Sequence, residues 1–240
     1  PCLKTLTSYL EQINDSGWYT NFGPLHQKLT DRLEEYLGVE NLLLVANGTL
    51  ALHVAYRALD VKNAICTPFS FAATASSLAW EKIPFSFVDI DSETFNLSVS
   101  NLEKKLISSK KKGRLPKILI PTHLGGQSCD MEKIKYLSKK YCFNIIEDAS
   151  HALGGRYKKS KVGSCKYSDI TVFSFHPIKS ITTSAKKKML AKLIIPINNA
   201  ANKPNKKGLK PIFFMPAKSV VKPIADIAIS NSSSAKNLTN

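Results

Sequence analysis

Short, uninterrupted apolar runs recur along most of this chain, and a segment with helical spacing separates each from the next. The runs are LLLVA at 42–46, AICTP at 64–68, PFSFVDI at 84–90, KILIP at 117–121, FNIIED at 143–148 and ITVFSF at 170–175. A strand that is apolar on both faces has to be covered on both faces, as happens inside a parallel sheet flanked by helices. Between the runs lie LALHVAYRAL, FAATASSLAWE, NLEKKL and DMEKIKYLSKK, the last with Asp130 placed to cap it. Two further helices are expected at 3–15 and 25–37, joined by the turn-rich GWYTNFGP. The pattern predicts an α/β fold with a mostly parallel central sheet.

Charge and cysteine content narrow the class. The formal charge is +16 over 240 residues, which raises the question of nucleic acid. Residues 184–240, however, hold 11 lysines and one acid, Asp226, so they carry +10 of that total. A nucleic-acid surface would interleave its lysines with stacking aromatics, and this tail has only the adjacent Phe213 and Phe214. No nucleic-acid partner is therefore expected. The five cysteines, Cys2, Cys66, Cys129, Cys142 and Cys165, have no CxxC spacing and read as reduced thiols of a cytoplasmic protein. No apolar run is long enough to span a bilayer, no signal peptide precedes the first helix, and no metal site is expected.

In an open parallel sheet, ligands bind beyond the carboxyl ends of the strands. Gly48 and Thr49, Pro68, His123, Asp148 and the residues after Phe175 are expected along that edge. Pyridoxal phosphate would need four things there: an amine for a Schiff base, a carboxylate for its ring nitrogen, donors for its phosphate and a flat side chain over its ring. Lys179, in SFHPIKSITT, is the candidate amine, although a plain surface lysine is the ordinary reading. Asp148 ends a strand and is the candidate carboxylate; it reads equally as a cap, and alternation sends its neighbour Glu147 to the other face. Gly48 and Thr49 stand between a strand and a helix, where unpaired amides favour phosphate or merely start the helix. Ser174 is a second candidate donor, and Phe71 either stacks on the ring or packs in the core. His151 is placed to reach the ring hydroxyl, and His176 is a possible substrate-side group.

In this order the pieces resemble the DegT/DnrJ/EryC1/StrS family of sugar aminotransferases, which share the type I aminotransferase fold. The stretches are WYTNFGPLHQKLTDRLEEYLGV, VANGTLALHVAYRAL, TPFSFAATASSLAW, PFSFVDIDSETFNL, THLGGQSCDM, IIEDASHALGG and VFSFHPIKSITT, all within residues 1–183. The resemblance implies that Lys179 binds pyridoxal phosphate covalently and that Asp148 pairs with its ring nitrogen. It assigns Gly48, Thr49 and Ser174 to the phosphate, Phe71 to the ring face and His151 to the ring hydroxyl. It further implies transfer of an amino group from an amino acid, glutamate in most members, to a keto group of a nucleotide-linked sugar. The products feed polysaccharide, glycan or antibiotic biosynthesis, and the enzymes are homodimers. SFHPIKSITT is most similar to members acting at C4 of a 4-keto-6-deoxy UDP-hexosamine.

The family pattern stops near residue 184, where SAKKKMLAKL stands in place of the expected Glu-Gly-Gly turn and strand. Residues 1–183 are thus expected to form an incomplete large domain that binds the cofactor, and 184–240 an irregular, lysine-rich and poorly ordered tail. The hypothesis is that the C-terminal part is missing or replaced, for instance by a frame shift. A coding sequence without a family-like continuation in another frame would count against it. A sheet ending at 175 should present an open edge, and catalysis should be impaired. The alternative is a remnant that binds cofactor or a partner without turnover.

Overall fold

The computed structural model describes residues 3–176, 178–179 and the backbone of 193–196. Helix α1 (Leu3–Ser16) leads into α2 (Pro24–Leu37), which starts on a proline at its first position and stops at Gly38 in the left-handed conformation. The alternating unit follows: β1 (Leu42–Val45), α3 (Gly48–Ala58), β2 (Ala64–Cys66), α4 (Ala73–Trp80), β3 (Phe85–Phe87), α5 (Val99–Lys111), β4 (Ile118–Ile120), α6 (Met131–Tyr141) and β5 (Asn144–Asp148). A small hairpin, β6 (Arg156–Tyr157) and β7 (Ser160–Lys161), precedes β8 (Ile170–Val172) and β9 (Leu193–Pro196). Side-chain oxygens of Asn47, Ser98 and Asp130 accept from backbone N–H groups in the first turns of α3, α5 and α6.

Strands β2, β3, β4, β5 and β8 form a five-stranded parallel sheet in the order β3-β2-β4-β5-β8. The period of two sorts its side chains between two cores. Ala64, Cys66, Ile118, Ile120 and Ile146 pack with residues of α3 and α4, including Leu52, Tyr56 and Leu78. Ile65, Leu119 and Ile145 pack on the other face with Leu102 and Leu106 of α5 and Ile134 and Leu137 of α6. Continuous apolar strands follow directly from this two-sided burial. A third cluster joins Leu37 and Leu44 to Ala149, Val162 and Phe173. Gly163 permits its closure: its φ is +91°, and a Cβ there would meet the Phe173 ring.

The strands are shorter than the apolar runs suggest. The expected strand at 84–90 narrows to Phe85–Phe87, and 170–175 to Ile170–Val172. Beyond residue 183 the structure adds a strand. Leu193–Pro196 pairs antiparallel with β1 across Leu42–Val45 and lies beside β8. Strand β8 remains the end strand of the parallel sheet, with β9 beside it but hydrogen-bonded to β1; the remainder of 184–240 lies outside the described residues. No helix among the described residues is long and apolar enough to cross a membrane.

Candidate active site

Asp148 and Glu147 end β5 on opposite faces. Asp148 has the parity of Ile146 and points to the α3/α4 side, where it is only 5 % exposed. Its Oδ1 accepts from the Ser150 N–H at 3.2 Å and the Ser150 hydroxyl at 2.7 Å, and its Oδ2 accepts from the Thr74 hydroxyl at 2.7 Å. Glu147 has the parity of Ile145 and turns below the sheet, where its Oε2 lies 2.6 Å from His123 Nε2. Cys129 N–H donates to His123 Nδ1 at 3.2 Å, so the His123 proton sits on Nε2 and points at Glu147. His123 is fully buried by this pairing and is not on the ligand-facing edge. Its sequence position before a glycine turn suggested that edge, whereas its partner comes from the hidden side of β5.

Lys179 closes a turn after β8, with its N–H donating to the His176 carbonyl at 2.9 Å. The turn carries its half-buried amine back over β5, so that Nζ lies 2.8 Å from His151 Nε2 and 5.8 Å from the centre of the Phe71 ring. Burial lowers the Lys179 pKa from the ordinary 10.5, only partly opposed by the negative charge of Asp148. His151 is likewise lowered, first by burial and then by Lys179. Gly125 N–H donates to His151 Nδ1 at 3.3 Å, so a neutral ring carries its proton on Nε2. His151 Nε2 and Lys179 Nζ lie within hydrogen-bond distance, each able to donate or accept according to its protonation. The adjoining Gly126 has φ +90°, and a Cβ there would come within 3.0 Å of the His151 carbonyl.

Phe71 lies just before α4 with its ring 70 % exposed, so it is not core. Gly48 and Thr49 open α3, where the first amides of a helix have no acceptor within it. Ser174 is half-buried, and its hydroxyl accepts from the His176 N–H at 3.3 Å. His176 is exposed and folds back on its own turn, with Nδ1 accepting from Ile178 N–H at 3.4 Å. The structure thus brings Asp148, His151, Phe71 and Lys179 together. No hydrogen bond among the described residues ties Gly48 or Thr49 to that group, and His176 joins it only through its backbone carbonyl, which accepts from the Lys179 N–H. Thr74, Ser150 and Gly125 belong to the constellation and were missed. Their partners are distant in sequence or are backbone atoms, and no motif marks such contacts.

Residues 3–186 match the DegT/DnrJ/EryC1/StrS aminotransferase family. The chain belongs to that family. It is 39% identical over 184 residues to the dTDP-4-amino-4,6-dideoxy-D-glucose transaminase of Shigella dysenteriae, covering 76% of this chain and 48% of that one. It is 41% identical over 184 residues to the UDP-4-amino-4,6-dideoxy-N-acetyl-beta-L-altrosamine transaminase of Campylobacter jejuni serotype O:2, covering 75% and 46%. Among solved structures, Spr1654 of Streptococcus pneumoniae in its PLP form superposes with a TM-score of 0.70 at 26% identity, covering 82% of this chain and 51% of that one. The DegT/DnrJ/EryC1/StrS chain described here therefore spans about half the length of the curated relatives it matches.

Proposed function

We propose that residues 1–183 are the cofactor-binding unit of a sugar aminotransferase and that Lys179 is its attachment point for pyridoxal phosphate. The observation that carries this reading is the half-buried Lys179 amine, its pKa lowered by burial, beside His151, over the exposed Phe71 face and near the buried carboxylate of Asp148. The donor set suits the cofactor: a nucleophilic amine, a carboxylate, an open aromatic face and a helix start. When bound, pyridoxal phosphate supplies a ring that takes up the electrons left when an amino acid's Cα–H bond breaks.

The protein's residues supply the rest. Lys179 attaches the cofactor and carries a proton at Nζ to and from the reacting carbon. Asp148 orients toward the ring nitrogen, and Phe71 stacks against the ring and keeps water from it. The amides and hydroxyl at Gly48 and Thr49, with the Ser174 hydroxyl, hold the phosphate. His151 lies beside Lys179 Nζ and toward the ring hydroxyl, and His176 is on the substrate side. The donor is an amino acid such as glutamate and the acceptor a keto group at C4 of a nucleotide-linked sugar, a reading supported by the names of both relatives. The setting is cytoplasmic, and the intact unit is a homodimer. Because residues 187–240 lie outside the family match, turnover by this chain is read as impaired.

The test is to add pyridoxal phosphate to the purified chain, reduce with borohydride and locate the modified lysine by mass. A visible absorption band and a label on Lys179 are expected, and both should disappear in Lys179→Ala while the fold, checked by circular dichroism, persists. A band and label that survive the substitution reject the assignment. Glutamate-dependent amination of a 4-keto nucleotide sugar should proceed well below about 1 s⁻¹, the lower end of usual enzyme turnover. Ordinary turnover would overturn the impaired reading.

A further inference from the structure

A line of three hydroxyls leads to the far side of Asp148. Thr122 hydroxyl lies 3.2 Å from Ser70 Oγ, Ser70 Oγ lies 2.7 Å from Thr74 Oγ1, and Thr74 Oγ1 lies 2.7 Å from Asp148 Oδ2. A hydroxyl has one hydrogen to donate. Thr74 spends its hydrogen on the carboxylate, so Ser70 donates to Thr74, and Thr122 in turn donates to Ser70. The direction of the whole line follows from its last member.

The line is held at both ends. Thr122 forms a parallel bridge with Asp148 itself, and the Asp148 N–H donates to Pro121 O at 2.9 Å. Thr74 is 1 % exposed at the start of α4. The buried Tyr56 of α3 donates its hydroxyl hydrogen to the Thr74 carbonyl at 3.2 Å and accepts from Ser77 at 3.2 Å. Packing of α3 on α4 thereby sets where the Thr74 hydroxyl points.

A carboxylate has about four acceptor positions, two on each oxygen. Ser150 fills both on Oδ1, and Thr74 fills one on Oδ2. Among the described residues, one position on Oδ2 is left. We propose that Thr74, oriented by Ser70 and Thr122, is a positioning residue that aims this remaining Oδ2 position at the ring nitrogen of pyridoxal phosphate. This inference rests on the cofactor reading given above and adds to it the oxygen used and the side chain that directs it.

The experiment measures binding rather than turnover. The full chain and its variants are titrated with pyridoxal phosphate and with its 1-deaza analogue, in which a C–H replaces the ring nitrogen. Thr74→Val should weaken pyridoxal phosphate about tenfold, the scale of one hydrogen bond to a charged group. It should leave the analogue's affinity within about twofold, because the analogue makes no bond to Asp148. Thr74→Ser should restore the parent values, and Ser70→Ala should give a smaller loss of the same kind. If Thr74→Val weakens both compounds alike, Thr74 serves only the fold and the proposal fails. If it weakens neither, the proposal also fails. A parent chain that binds neither compound sinks the cofactor reading itself, which is a separate outcome.

Discussion

Burial of the Lys179 amine works against its charged form in the folded protein. Its folded-state pKa lies below the ordinary 10.5, so between those values the unfolded chain binds more protons than the folded one. Stability should then rise with pH across that window. Replacing Lys179 with Met removes the difference, so in the cofactor-free protein the variant should be more stable than the parent near neutral pH. The gap should shrink as pH climbs toward 10.5, read as urea midpoints at a series of pH values. A gap independent of pH would mean that folding does not lower the pKa of this amine. His151→Phe should flatten the same dependence only in part, because burial acts on Lys179 without it. The individual residues of the candidate site were legible in sequence as chemical types at strand ends. What sequence could not display is that Gly125, through one backbone N–H, chooses the tautomer of His151.

At the scale of elements, the central strands β2, β4 and β5 could be read closely because both of their faces are packed beneath helices with their own periodicity, whereas β1 pairs outside the parallel sheet and β3 is an edge strand with Phe87 exposed. The hairpin β6–β7 was not legible, being two residues per strand with Lys158 at φ 51° in its turn. Likewise the seating of β8 against the rest depends on a glycine no motif marks. Gly163→Ala combines a positive φ with a clash against the buried Phe173 ring and should cost about 2–4 kcal/mol in chemical unfolding. A change below about 0.5 kcal/mol would show that the ring moves aside freely. Beneath the sheet, His123→Ala leaves the Glu147 carboxylate buried without its main partner and should cost about 3–5 kcal/mol. The His123→Ala/Glu147→Ala double variant should cost clearly less than the two single losses added. Strict additivity would mean that the two side chains do not interact.

For the whole molecule, the boundary near residue 184 was visible as a change of composition, whereas the return of the chain onto β1 was not. LAKLIIPI is apolar but flanked by lysines and broken by Pro196, and nothing local names a partner some 150 residues earlier, at Leu42–Val45. With β9 paired there, β1 has an antiparallel neighbour. Ending the chain at residue 183 should speed hydrogen exchange of the Leu42–Val45 amides at least about tenfold relative to those of β4, an internal strand. Equal protection with and without the tail would show that this pairing adds nothing to the sheet.

The two neighbouring acids at the end of β5 give the molecule a check on its own assembly. Were β5 to slip by one position, Asp148 would be carried beneath the sheet with a shorter reach toward His123, and Glu147 would arrive at Thr74 with an extra methylene. A single misplacement would thus spoil the ligand-facing rim and the hidden histidine–carboxylate contact together. Deleting one residue within Asn144–Ile146 should accordingly abolish cofactor capture and compact folding in the same stroke.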